Sequence, residues 1–152
     1  FDAPRTPVRA IAGKTRTVVV KIRSPRMLAT PGALRKIFEV FEQNRTSVDV
    51  VATSEVSVSV TLDDDQHLDA VVAQLSAFGD VSVERHRGIV ALVGAGLGEH
   101  TEAMATALQA LGNLRLHMVS LSATGINLTL IVDGDQVNEA MKRLHAAFFG
   151  AA

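Results

Sequence analysis

The chain runs through one order of strands and helices twice, and the second pass breaks off one strand short. In the first pass Val18, Val19, Val20 and Ile22 form a short β-branched run that reads as a strand. Thr30-Pro31-Gly32 opens a helix, with Thr30 placed to cap it and Pro31 at the first helical position. Leu34, Ile37, Phe38 and Phe41 then fall at i, i+3, i+4 and i+7, one apolar face that stops at Asn44. Residues 47–52 (SVDVVA) and the strict alternation of residues 56–62 (VSVSVTL) are two strands, joined as an antiparallel hairpin by Thr53-Ser54-Glu55. Asp63-Asp64-Asp65 begins a second helix carrying Leu68, Val71, Val72 and Leu75, and Val81 and Val83 supply a fourth strand.

The same order restarts at residues 89–93. Thr101 opens a helix with Met104, Ala107, Leu108 and Leu111; strands follow near 114–121 and 126–132, then a helix with Val137, Met141, Leu144 and Phe148. NRTSVDVV answers GNLRLHMV, and EVSVSVTL answers GINLTLIV, at a repeat of about 70 residues. After Phe149 only Gly150-Ala151-Ala152 remains, too little for a closing strand. An unmatched candidate lies at the other end, where Val8, Ala10 and Ala12 alternate with Arg9 and Ile11 before Gly13. That segment is expected to cross back and complete the second unit. The expected fold is therefore α+β, two ferredoxin-like βαββαβ units with the first inserted into the second.

Composition narrows the function. Fifteen Lys and Arg against sixteen Asp and Glu leave a formal charge of −1, a poor match to a phosphate-neutralising surface, so no nucleic-acid partner is expected. Six Phe are the whole aromatic complement, and the central strands carry Val, Ser and Asp where an RNA-binding sheet needs rings. With no cysteine, disulfides, thiolate metal sites and thiol nucleophiles are all excluded. No run of 18 apolar residues and no signal-peptide core occur, so no membrane partner and a cytoplasmic location are expected.

Most local motifs have plain readings. In Gly94-Ala95-Gly96-Leu97-Gly98 the third glycine of a dinucleotide loop would fall on Glu99, and no Lys-Ser or Lys-Thr follows, so the stretch reads as a tight strand-to-helix loop. His67, His86, His100, His117 and His145 are scattered without metal-ligand spacing and read as surface or boundary residues. Ser57, Ser59 and Thr61 read as a solvated or interface face, and the triple Asp as a turn and cap. No nucleophile has a base in pattern beside it, so no catalytic residue, cofactor or metal is expected. Arg26 near Gly32 is the one hint of an anion site for a small phosphatase-like enzyme.

One constellation carries more. Residues 26–32 join the first strand to the first helix, near Ser47, Val48 and Asp49 and the turn Thr53, Ser54 and Glu55, in one unit or across a pairing of units. Main-chain N–H groups at Gly32, Ala33 and Leu34 suit a carboxylate, and Asp49 and Glu55 suit an ammonium. Together they fit a zwitterion, with an acid to spare for a basic side chain. A capped helix beside a surface aspartate explains the same residues without a ligand.

MLATPGALRKIFEVFEQNRTSVDVVATSEVSVSVTLD resembles the first ACT domain of aspartate kinases, most closely the lysine-sensitive kind, and LHMVSLSATGINLTLIV resembles the second. The resemblance runs from about Arg16 to Phe149 and implies a first, effector-binding ACT domain at 16–87 and a second at 7–14 and 88–149. It implies a lysine site at Met27, Thr30, Gly32, Ala33, Leu34, Ser47, Val48, Asp49, Thr53, Ser54 and Glu55, with Asp49 on an ammonium and the helix-start N–H groups on the carboxylate. Thr30 and Ala33 stand where lysine-sensitive members more often have Ser and a bulky aromatic, which leaves threonine as the alternative effector. The family phosphorylates aspartate with ATP, and its ACT pair feeds end-product inhibition to a kinase domain. That domain, with its Lys-Phe-Gly-Gly start, has no counterpart here, so the chain is expected to be a regulatory fragment of a longer polypeptide, without kinase activity of its own. First domains are expected to pair in a homodimer with two equivalent effector sites.

Overall fold

The computed structural model describes residues 7–26 and 30–150. In chain order the elements are β1 (Val8–Arg23), α1 (Ala33–Gln43), β2 (Val48–Thr53), β3 (Ser57–Leu62), α2 (Leu68–Leu75), β4 (Asp80–Gly94), α3 (Thr101–Leu111), β5 (Leu116–Leu121), β6 (Asn127–Asp133) and α4 (Val137–Phe149). They form two compact units. One is Thr17–Arg85; the other joins residues 7–16 to residues 86–150.

In the Thr17–Arg85 unit the strand order is β2-β3-β1-β4. β1 meets β3 antiparallel, from Val18 opposite Leu62 to Arg23 opposite Ser57. Val18, Val20 and Ile22 alternate onto the face that carries Ile37, Val40 and Phe41 of α1 and Leu68, Val71 and Leu75 of α2. Burying a side chain such as Ile37 or Phe41 contributes about 1.5–3 kcal/mol, so the spacing seen in sequence is a core stripe. The other unit has the order β1-β4-β6-β5 and a separate core, in which Val8, Val90, Leu92, Leu128 and Leu130 meet Ala107 and Leu111 of α3 and Leu144 of α4.

Four short strands expected from the sequence are two long ones. The alternation at Val8, Ala10 and Ala12 does not end at Gly13 but continues to Arg23, 16 residues in all, and the Val81 and Ile89 runs are parts of the 15-residue β4. Gly13, and Gly88 within β4, are close-approach points. A Cβ on Gly13 would lie 2.5 Å from the Met141 sulfur, and one on Gly88 would lie 2.1 Å from Val137 Cγ2. Two glycines under one helix let α4 settle onto the strands without breaking them.

Two turn readings also change. Thr30 is not the cap of α1: the helix begins at Ala33 with Gly32 before it at φ +85°, and the Thr30 hydroxyl donates back to the Arg26 carbonyl at 3.3 Å. The aspartate run forms a turn, as read, but α2 starts only at Leu68. Asp64 accepts the Gln66 N–H at 3.2 Å, and Asp65 pairs with Arg85 at 2.9 Å.

Candidate functional site

The exit of β1, the start of α1 and the β2–β3 turn share one end of the Thr17–Arg85 unit. The Ser24 N–H donates to the Val56 carbonyl at 2.9 Å, tying the β1 exit to the turn. Within the turn the Ser54 hydroxyl lies 2.8 Å from that of Ser57 and accepts the Val56 N–H at 3.3 Å, so Ser54 closes the hairpin as well as lining it. Thr53 and Glu55 are exposed beside it.

At the helix start Ala33 is buried and Leu34 is exposed. The Ala33 N–H, expected to be open, is taken by the Thr30 carbonyl at 3.2 Å. The Leu34 and Arg35 N–H groups have no main-chain acceptor among the described residues, as the first turn of a helix requires. No acidic residue stands in the first turn of α1, whereas Asp69, Glu102 and Glu139 occupy the first turns of α2, α3 and α4. Arg35 and Lys36 add positive charge where the helix dipole is already positive, and Arg35 pairs with Glu39 one turn on at 3.5 Å.

Ser47, Val48 and Asp49 lie at the other end of β2, about 13 Å along the strand from Thr53. Val48 packs on the core; Ser47 and Asp49 are exposed. One unit thus brings Thr30, Gly32, Ala33, Leu34, Thr53, Ser54 and Glu55 to one end and leaves Asp49 at the other. Met27 lies outside the described residues. A groove lined by Leu68, Val72, Val83, Asp69 and Arg85 belongs to the opposite edge of this unit, at α2 and β4. Among the described residues no cluster of three or more His, Asp and Glu has metal-ligand geometry, and no helix is long and apolar enough to cross a membrane.

Periodicity could not reveal how Asp49 is presented. Val48 faces Leu62 and Val51 faces Val60, so β2 carries one extra residue, and Asp49 and Val50 together oppose Thr61. The Thr61 side chain is fully buried, not solvated, and its hydroxyl accepts the Val50 N–H at 2.9 Å.

The other unit has a bulge at the matching place, where Leu116 faces Val132 and Met118 faces Ile131, with His117 as the extra residue. His117 occupies the place of Asp49 in the repeat, yet its ring is only 8% exposed and its Nε2 lies 2.8 Å from Asp133 Oδ1. Arg87 donates to the same oxygen at 3.0 Å. The hydrogen bond from His117 holds the Asp133 carboxyl below the usual carboxylate range against its own desolvation, helped by the charges of His117, Arg87 and Arg115. At the start of α3, Glu102 is likewise held low, first by its own backbone N–H and then by His100 at 3.0 Å. Leu97 is buried in the glycine-rich loop, and its N–H donates to Gly125 of the β5–β6 turn at 2.9 Å.

Both units match the ACT domain model, over residues 20–78 and 90–148. The chain belongs to the ACT-domain family, as a tandem pair. Among known proteins, chloroplastic aspartokinase 3 of Arabidopsis thaliana is 36% identical, the match spanning 97% of this chain and 28% of that protein. A solved structure described as a C-terminal regulatory domain of aspartate kinase, from Porphyromonas gingivalis W83, aligns with a TM-score of 0.82 at 33% identity, over 95% of this chain and 99% of that one. Escherichia coli aspartokinase III in complex with lysine and aspartate aligns with a TM-score of 0.82 at 28% identity, over 98% of this chain and 35% of that one. The ACT pair is thus the one found in the regulatory part of aspartate kinases. It spans 26% to 33% of the length of curated aspartokinases such as those of Candida albicans and E. coli.

Proposed function

We propose that the chain is the effector-binding regulatory region of an aspartate kinase, that lysine is its effector, and that lysine binding restrains aspartate phosphorylation by a kinase domain of the parent polypeptide. The first ACT domain is residues 16–87, inserted into a second made of 7–14 and 88–149. The placement of β1 beside β4 in both strand orders and the division into two compact units support these bounds. A cytoplasmic location stays part of the proposal.

The carrying observation is the first turn of α1. It alone among the four described α-helices lacks a carboxylate of its own, and it carries Arg35 and Lys36. An amino-acid carboxylate fits there. Asp49 supplies the opposite charge but lies too far along β2 to act in the same unit. β2 is an edge strand with Val51 midway between Asp49 and Thr53, and Val51 is 39% exposed. Antiparallel pairing of two β2 strands about a two-fold at Val51 would set Asp49 of one copy beside Thr53 of the other, forming two equivalent sites. Inhibition follows if lysine binds one arrangement of the dimer more tightly than the other. Threonine is the alternative effector, because Thr30 and Ala33 leave room that a lysine-specific pocket fills.

Isothermal titration with lysine and with threonine, alongside sedimentation, tests the reading. Lysine heat at one site per chain in a dimer is expected. Heat with threonine alone moves the effector to threonine, and heat with neither leaves a dimerisation module without a ligand.

A further inference from the structure

We infer that Thr61 is a positioning residue of the effector site: its buried hydroxyl sets the β2 bulge that presents Asp49. The inference rests on the effector reading above, because Asp49 is the ligand-facing group in that reading. Thr61 stands on β3 between Val60 and Leu62, opposite Val19 of β1, and is fully buried. A hydroxyl at a buried β-branched position costs desolvation unless it has a partner. The partner here is a main-chain N–H, that of Val50, at 2.9 Å.

That contact does what a ladder hydrogen bond cannot. Two residues of β2 oppose one of β3, so one N–H on the bulged strand loses its regular acceptor. The Thr61 side chain replaces the missing carbonyl, which keeps Val48 and Val51 facing Leu62 and Val60 while Asp49 stays on the exposed side. A one-residue slip of an edge strand exchanges its two faces, so losing the bulge would move Asp49 out of place and carry an apolar residue outward. The second unit supplies the contrast. Its bulge faces Ile131, which has no hydroxyl, and there the extra residue His117 is tied to Asp133. A side-chain acceptor for the bulge N–H occurs where the bulge residue faces outward, and an ion pair occurs where it faces inward.

The test combines lysine titration with amide exchange at Val50 in the whole chain. Thr61→Val keeps the shape and removes the acceptor; Thr61→Ser keeps the acceptor. Thr61→Val is expected to weaken lysine binding at least tenfold and to expose the Val50 N–H to exchange, while Thr61→Ser stays within about threefold of the parent. In the parent chain, bound lysine is expected to slow Val50 exchange further, a measurement that needs no variant to fold. Unchanged lysine affinity in Thr61→Val, or Val50 exchange that lysine does not alter, overturns the role of Thr61. Absence of lysine heat in the parent chain overturns the effector reading instead, and Val50 exchange in Thr61→Val then decides separately whether the hydroxyl holds the bulge.

Discussion

At the exit of β1 the Ser24 N–H reaches the Val56 carbonyl at 2.9 Å, and at the corresponding point of the repeat the Gly94 N–H reaches the Ile126 carbonyl at 2.8 Å. Both units then bulge by one residue at the start of the edge strand of each unit's own order. On this shared backbone the side chains diverge. In one unit the bulge carries exposed Asp49, and α1 starts without a carboxylate. In the other, His117 is locked to Asp133, and Glu102 sits on its own N–H at the start of α3. Duplication therefore preserves the frame while the side chains give the two copies different electrostatics.

A crossed pair of substitutions would break this contrast most sharply. Asp49→Ala is expected to cost lysine affinity about a hundredfold, as loss of one partner of a charge pair does, an effect larger than its effect on unfolding. His117→Ala is expected to do the reverse, lowering stability by about 1–2 kcal/mol while leaving lysine affinity unchanged. Calorimetry of both variants decides the matter. If His117→Ala weakens lysine binding as much as Asp49→Ala, the two units are not divided as drawn.

A transplant comes next in size. Glu102 is the second residue of α3, and Leu34 is the second residue of α1. Leu34→Glu would give α1 the internal carboxylate that its counterpart already has. The dipole rewards an acid there, so the helix should gain a few tenths of a kcal/mol, while lysine affinity should drop about tenfold because the site's anion is now built in. Titration and thermal unfolding report the two effects together. Unchanged affinity with a stabilised helix would mean that the ligand carboxylate does not use the start of α1.

Much of this arrangement is legible in the sequence. Helix faces such as Leu34-Ile37-Phe38-Phe41 and the strict VSVSVTL alternation announce their elements, because core burial imposes fixed periods on them. Family resemblance points to Asp49, Thr53 and Glu55. What the letters hide is local and non-periodic. Gly13 looks like a stop, but it and Gly88 are the places where α4 presses on continuous strands. Gly32 takes the left-handed conformation that puts Thr30 outside the helix, and a threonine pattern gives no sign of that. Ser57, Ser59 and Thr61 look alike in an alternating strand, yet only Thr61 faces a bulge, since register against β2 is a tertiary fact. The distance between Asp49 and the rest of the candidate site is hidden for the same reason.

The smallest expected effect concerns acid and the unit that carries His117. Asp133 is held below the ordinary carboxylate range by its hydrogen bond from His117, with the charges of His117, Arg87 and Arg115 assisting against desolvation. A carboxyl whose folded pKa is depressed contributes stability that is complete above its unfolded value of about 3.9 and is lost as pH falls through the lower, folded value. The carboxylate is 38% exposed, so screening limits that contribution to about 1 kcal/mol. Thermal unfolding from about pH 6 down to about pH 3 should therefore show a component that Asp133→Asn removes, making the variant less stable near neutrality and flatter in acid. If the Asp133→Asn curve runs parallel to the parent, the His117–Asp133–Arg87 cluster does not store the charge energy assigned to it. The closed unit would then be closed by packing around Leu97 and Ile131 alone.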